Sequence, residues 1–320
     1  MIFPRFAYYH TIEGVFMEER EQWCMKVPLD EGEQVRQELG RSELLDRSLR
    51  PRAEGGCLLI PVLAPGPGDL RCTFRSLPPP QELPRHELVG GIAIMPDHDP
   101  AAAEVLLRAR PVIHTVLFPE SEVEGEFRTR SFEVLAGEPT TRTVVTEYGH
   151  RFVIDLSAAY FSARLATERQ RVLGLVTPGE FVLDMFTGVG PFAITLADVA
   201  SLVVASDLNP GAVLLLLENL RLNRVKNVLP ACADAGHLDR VLPWKFDRVV
   251  MNYPLDPVPF LPHAFRLCKP GGWIHCYLLQ SEEGALLPAL QDYPVAACSE
   301  HMVRSYSPGK WHAVYDILLG

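Results

Sequence analysis

Three acids and an amide stand where four apolar runs of the carboxyl-terminal half end. Asp184 follows Phe-Val-Leu, Asp207 follows Val-Val-Ala-Ser, Asp234 follows Val-Leu-Pro-Ala-Cys-Ala and Asn252 follows Arg-Val-Val-Met. Open α/β sheets present ligand chemistry at such strand ends. The first run continues as VLDMFTGVGPF (182–192), where Gly188 and Gly190 allow a tight turn and close backbone approach, and Pro191 starts a helix whose amino end favours an anion. The turn departs from the dinucleotide fingerprint, because the third glycine is replaced by Ala193 and an acid precedes the turn. Asp184 repels a pyrophosphate but suits the amino group of a methionine moiety. About 20 residues on, Asp207 can accept both hydroxyls of a ribose, and Asp234 can accept from an adenine amino group. Amino acid, ribose and adenine in that order describe S-adenosylmethionine. Asn252 opens Asn-Tyr-Pro (252–254), an amide acceptor on a proline-stiffened turn beside a transferable methyl, with the Tyr253 ring able to stack on a base.

The elements that must hold these groups follow from the pattern. From residue 166 on, strands at 181–184, 202–207, 227–230, 248–252 and 273–279 alternate with helices, which predicts an α/β fold with a doubly wound parallel sheet. Two small α+β domains precede it. Residues 24–64 read as a strand, a helix over 30–45 and an apolar run over 57–63. The PGPG at 65–68 and three prolines at 78–80 predict a connection without regular structure over 65–84. A strand at 88–95, a helix at 101–110 and a strand at 112–118 make a β-α-β unit, and two further strands at 126–135 and 141–155 complete a middle domain over 85–155. The sheet domain takes 156–320, and residues 1–23 form an extension with no assigned function.

Composition sets bounds on these expectations. No apolar run approaches the roughly 18–20 residues of a membrane span, and the first 23 residues lack the apolar core and cleavage site of a secretory signal. A soluble, cytoplasmic protein is expected. Seven cysteines without a CxxC pair predict free thiols, neither a disulfide framework nor a zinc knuckle, and no metal site is indicated. The 40 acidic and 30 basic residues give a formal charge of −10, the wrong sign for a surface that attracts phosphate everywhere. Two local clusters run against it: Arg36, Arg41, Arg47, Arg50 and Arg52 in the first domain, and Arg221, Arg224 and Lys226 later.

The run DLSAAYFSARLATER (155–169), with LDMFTGVGPFAI (183–194), SDLNP (206–210), LENLRLN (217–223) and DRVVMNYP (247–254), resembles the archaeal and eukaryotic tRNA guanosine-37 N1-methyltransferases. The likeness extends to CMKVPLDEGEQVRQEL (24–39) and GEFRTRSFEVLAGE (125–138), and so covers about 24–320. It implies a class I methyltransferase sheet domain that binds S-adenosylmethionine, with Phe186, Pro191 and Leu208 joining Asp184, Gly188, Gly190, Asp207, Asp234 and Asn252 around the cofactor. It also implies a first domain that docks on the outer corner of tRNA; a monomer is expected. Glu168 matches the family's general base and Asn252 its partner at the target base. Guanine N1 carries a proton that a carboxylate must take as the methyl arrives, and the charge left on O6 calls for a cation. Arg128 is favoured for that cation over Arg130, which points the same way on a strand. Tyr160 matches an aromatic near the methyl, and Tyr253 and Pro254 are expected at the target base.

Departures from the family pattern are Ala158 and Ala163 in place of a lysine and a proline, and Tyr253 in a corner that is usually Asn-Leu-Pro. Residues 1–16 have no match, which makes Met17 an alternative start. His275 and His312, in apolar strand contexts, are expected as core or edge residues without a role. Three other activities stay open: aminocarboxypropyl transfer from the same cofactor to a wyosine precursor, methyl transfer to a non-RNA substrate, and RNA or cofactor binding without catalysis.

Overall fold

The computed structural model describes residues 19–77, 83–121 and 130–320. The chain divides into two compact units, 1–82 and 83–320. The first holds β1 (Glu19–Pro28), α1 (Gly32–Arg41), β2 (Arg52–Glu54), β3 (Cys57–Val62) and β4 (Leu70–Arg75), with the antiparallel strands ordered β2-β3-β1-β4. Alternate residues bury on opposite faces: Cys24, Leu59 and Phe74 on one, and Val27, Ile60 and Val62 with Leu39 of α1 on the other. Strand β4 corrects the expectation of an unstructured 65–84. The PGPG does turn, with Asp69 accepting from Gly66 N at 2.7 Å, but the six residues beyond it pair with β1 from Glu19↔Arg75 to Cys24↔Leu70. Cys24 and Cys72 are joined by a disulfide with Cα atoms 6.2 Å apart, where free thiols were expected. The sheet pairing brings them together across 48 residues, and cysteine spacing does not reveal that.

The second unit opens with β5 (Glu87–Val89), β6 (Ile92–Ile94), α2 (Pro100–Ala109), β7 (Thr115–Pro119) and β8 (Phe132–Gly137), in the sheet order β5-β6-β7-β8. The β6–α2–β7 crossover is the expected parallel unit, and α2 starts on an Asp99 cap that accepts from Ala102 N. Gly90 folds the expected single strand of 88–95 into a hairpin: its φ is +58°, and a Cβ there would lie 2.6 Å from Thr143 Oγ1. The stretch 141–155 is likewise two strands, β9 (Arg142–Glu147) and β10 (His150–Asp155), closed at Tyr148–Gly149 with both φ values positive.

A seven-stranded sheet follows, built from α3 (Ala166–Leu173), β11 (Phe181–Asp184), α4 (Pro191–Leu196), β12 (Leu202–Asp207), α5 (Pro210–Leu222), β13 (Val228–Cys232), α6 (Leu238–Val241), β14 (Phe246–Met251), α7 (Leu261–Leu267), β15 (Cys268–Gln280), α8 (Leu287–Leu290), β16 (Val295–Ser307) and β17 (Lys310–Leu319). Its order is β13-β12-β11-β14-β15-β17-β16. The first five are parallel, as expected. Two further strands that were not anticipated complete the sheet: β17 runs antiparallel to both β15 and β16, so it alone opposes the other six. Central strands are apolar on both faces: Val182 and Val250 pack with Phe192 and Leu216 on one side, Leu183 and Val249 with Phe265 on the other. Strand order reverses between β11 and β14, which opens a crevice at their carboxyl ends.

The β9–β10 hairpin is fastened to α5 by side-chain amides. Asn219 accepts from Val153 N at 2.7 Å and donates to the carbonyls of Val153 and Val189, and Asn223 makes the same pair of bonds with Arg151. Asn219 is fully buried and thereby links the hairpin to the glycine turn. Among the described residues no helix is long and apolar enough to cross a membrane.

Candidate active site

The carboxyl ends of β11, β12, β13 and β14, with the segment leading into α3, wall a cleft of about 1030 Å3 including its open mouth. The glycine turn shapes its floor. Gly188 and Gly190 have φ +55° and +94°, and a Cβ on Gly190 would lie 2.3 Å from Leu216 Cδ1, so a side chain there would both strain the turn and displace Leu216 of α5. Gly188 N donates to Asp207 Oδ2 at 2.7 Å and Asn209 N to Oδ1 at 2.9 Å, so the end of β12 holds the turn in place. Burial raises the pKa of Asp207, and the amides of Asn209, Gly188 and Leu208 offset part of that rise. Asn209 caps α5 and donates to Ala158 O at 2.7 Å, so the alanine at 158 leaves this backbone bond intact.

Asp234 lines the cleft and also caps a short turn, accepting from Gly236 N at 2.8 Å and pairing with His237 at 2.9 Å; the amide of Gly236 leads in lowering its pKa. Asn252 and Tyr253 form the wall beyond β14. The Tyr253 ring stacks on Phe186 at 5.1 Å, and Phe260 stands edge-on to both, a three-ring apolar wall. Pro254 is buried behind it, with its carbonyl accepting from Leu279 N at 2.7 Å.

Of the residues singled out from sequence, Tyr160, Phe186, Gly188, Pro191, Asp207, Leu208, Asp234, Asn252 and Tyr253 all line the cleft. Gly190 and Pro254 support it from behind. Tyr160 is 37% exposed and so is no core residue. Asp184 is not on the wall: it is fully buried, and among the described residues nothing donates to either carboxylate oxygen in hydrogen-bond geometry. Burial raises its pKa to about 7, with the Asp207 charge adding and the nearby Thr187 hydroxyl and Phe186 and Ala193 amides subtracting. Glu168 also stands outside the wall. Its carboxylate is bonded to Arg171 and Tyr277, and 8% of its side chain is accessible. Arg130 lies over the Phe132 ring at 5.7 Å and not in the wall, and Arg128 falls outside the described residues. His275 and His312 are buried, as expected.

Arg169 and Phe260 stand out among the wall residues that were not anticipated. Arg169 is buried, held by Glu147 at 2.7–3.0 Å, and packs over Phe161 and Phe192. Its partner lies 22 residues upstream, and no local spacing signals it. Phe260 ends a short 3-10 turn, Val258–Phe260, set among prolines that hide it from pattern reading. Arg169 is the one cation among the described residues of the wall, and it is already paired, so Asp207 and Asp234 leave the cleft acidic. Such a wall disfavours a pyrophosphate and suits a positively charged ligand carrying hydroxyls and a planar ring.

The TRM5/TYW2 methyltransferase domain model matches residues 143–296, and the tRNA methyltransferase 5 N-terminal domain model matches 24–69. The chain is 37% identical to tRNA (guanine(37)-N(1))-methyltransferase Trm5b of Pyrococcus abyssi, over 92% of this chain and 98% of that protein. The crystal structure of that enzyme superposes with a TM-score of 0.70 at 33% identity, covering 93% of this chain and 99% of the other. A solved complex of aTrm5 with tRNALeu matches at a TM-score of 0.69 and 28% identity, with the same coverage. With its glycine turn, acidic strand ends and Asn-Tyr-Pro corner on a class I sheet, the chain belongs to the TRM5/TYW2 methyltransferase family.

Proposed function

We propose that this protein transfers a methyl group from S-adenosylmethionine to N1 of guanosine 37 in the tRNA anticodon loop, in the cytoplasm and as a monomer. The observation that carries this is the acidic, aromatic-walled cleft at the switch point, in a chain similar over nearly its whole length to an enzyme named for that reaction. The cofactor fits the donor set: Asp207 for the ribose hydroxyls, Asp234 for the adenine amine, the Phe186, Tyr253 and Phe260 rings for the purine, and no unpaired cation on the described wall to oppose a sulfonium. The buried Asp184 beneath the glycine turn is the acid assigned to the ammonium end, acting through the turn it underlies. When bound, the cofactor supplies an electrophilic methyl on a positively charged sulfur.

The chain's own residues supply the rest. Glu168 takes the guanine N1 proton, and because three hydrogen bonds hold its carboxylate, the base comes to Glu168. Asn252 orients the base edge beside the methyl, and the FRTR segment, through Arg128 or Arg130, offsets charge on O6. Residues 24–64 dock the tRNA, the middle domain over 85–155 assists, and 156–320 carries the chemistry. The test is mass spectrometry of a G37 transcript incubated with protein and S-adenosylmethionine. One added methyl at N1 of G37 is expected; an unmodified transcript alongside intact cofactor binding overturns the assignment.

A further inference from the structure

Arg171 is not among the residues that line the cleft, yet it donates to Glu168 on one side and to Asp316 on the other. Its Nε donates to Glu168 Oε2 at 2.9 Å and its Nη2 to Oε1 at 2.8 Å, a planar fork on one carboxylate. On its other side Nη1 and Nη2 donate to Asp316 at 2.7 and 3.2 Å. Asp316, on β17, accepts from His275 Nδ1 at 2.6 Å, and His275 Nε2 accepts from Arg248 Nη1 at 2.7 Å. Arg248 is clasped by Glu180 at 2.8 Å. This chain of polar contacts crosses β14, β15 and β17.

The bonds leave Glu168 little freedom. A carboxylate offers about four acceptor positions. On Oε1 two are taken, by Arg171 and by the Tyr277 hydroxyl at 2.7 Å; on Oε2 one is taken by Arg171. Among the described residues one acceptor position remains, on Oε2. We infer that Arg171, braced by Asp316, is a positioning residue for methyl transfer: it fixes the plane of the Glu168 carboxylate so that the open position on Oε2 meets the proton of the target base. The inference rests on Glu168 being the base. Lysine keeps the charge but lacks the fork, so it cannot set that plane.

The test uses the full-length protein with G37 transcript under single-turnover conditions, beside thermal unfolding of each variant. Arg171→Lys is expected to lower the methyl-transfer rate at saturating substrates by about tenfold or more, with the Kd for S-adenosylmethionine and the KM for tRNA held within about twofold. Asp316→Asn, which loosens the brace and leaves Arg171 in place, is expected to give a smaller loss of the same kind. Arg171→Lys at the wild-type rate, beside an inactive Glu168→Gln, overturns this inference and leaves the base assignment standing. A loss of cofactor or tRNA affinity as large as the loss of rate makes Arg171 structural and overturns it too. Glu168→Gln at the wild-type rate overturns the base assignment, and this inference with it.

Discussion

Asp184 and Asp207 end neighbouring strands of one sheet and meet different fates. Asp184 is sealed under the glycine turn with a pKa of about 7, above its value of roughly 3.9 in an unfolded chain. A raised carboxyl pKa means that the folded state holds the proton more tightly. Its contribution to stability is therefore complete below about pH 4 and is lost as pH rises through about 7. Asp184→Asn removes that slope. The variant is expected to gain stability over the parent between pH 5 and pH 8, by on the order of 2–4 kcal/mol at the upper end. Denaturant melts at several pH values check this, and parallel curves for the two proteins would refute it. Asp207, by contrast, reaches the wall while accepting two backbone amides. Asp207→Ala is expected to weaken S-adenosylmethionine binding by about tenfold or more, the loss of a charge-assisted hydrogen bond, and calorimetry showing parental affinity counts against the ribose assignment. Both acids could be picked out in the sequence because a buried strand reads as an apolar run, and a charge at its end marks where the sheet opens. Their difference in burial could not, since it depends on how the turn between them folds back. Glu168 and Arg169 show the same limit: adjacent in sequence, they face different partners, 109 and 22 residues away.

The glycine turn shows what an element adds. Gly190 combines a left-handed φ of +94° with a Leu216 methyl 2.3 Å from where a Cβ would be. Gly190→Ala therefore strains the turn and displaces the Leu216 side chain, at an expected cost of about 2–4 kcal/mol. Leu216→Ala removes the steric part alone, so the added cost of Gly190→Ala should be smaller in that background, and equal costs in a double-mutant cycle would show that the methyl is not the obstacle. Elements apolar on both faces, β11, β12 and β14, were legible because burial gives them one uninterrupted signal. Those missed have mixed patterns. Edge strand β16 alternates exposed and half-buried residues and carries Glu300, His301 and Arg304, which sequence pattern does not separate from loop. Strand β4 lies between two proline clusters that mask it, and β5–β6 and β9–β10 each turn at a glycine inside what reads as one strand.

At the scale of the whole molecule, a net charge of −10 has to coexist with a polyanionic substrate. Charge placed locally resolves this, because affinity for RNA depends on the few cations that meet phosphates and not on the total. In the first unit Arg36, Arg41 and Arg47 border one groove with Gly40, Leu45 and Pro51, while Arg50, Arg52 and Arg75 border another. Arg36 and Arg52 are already tied to Glu33 and Glu54, which leaves Arg41, Arg47 and Arg50 as the stronger candidates for meeting phosphates. In the second unit Arg221, Arg224 and Lys226 cluster at the exposed end of α5, beyond the part of the helix that shapes the cleft. Reversing Arg41, Arg47 and Arg50 to glutamate, together with Arg221 and Arg224, is expected to weaken tRNA binding and to flatten its dependence on salt, by about one unit of slope for each phosphate that is no longer neutralised. The methyl-transfer rate at saturating tRNA should stay near that of the parent, because none of these residues borders the cleft. Filter binding across a salt series reads affinity and slope together. If both match the parent, the basic clusters are solvated surface, and the tRNA must be held by groups elsewhere on the chain.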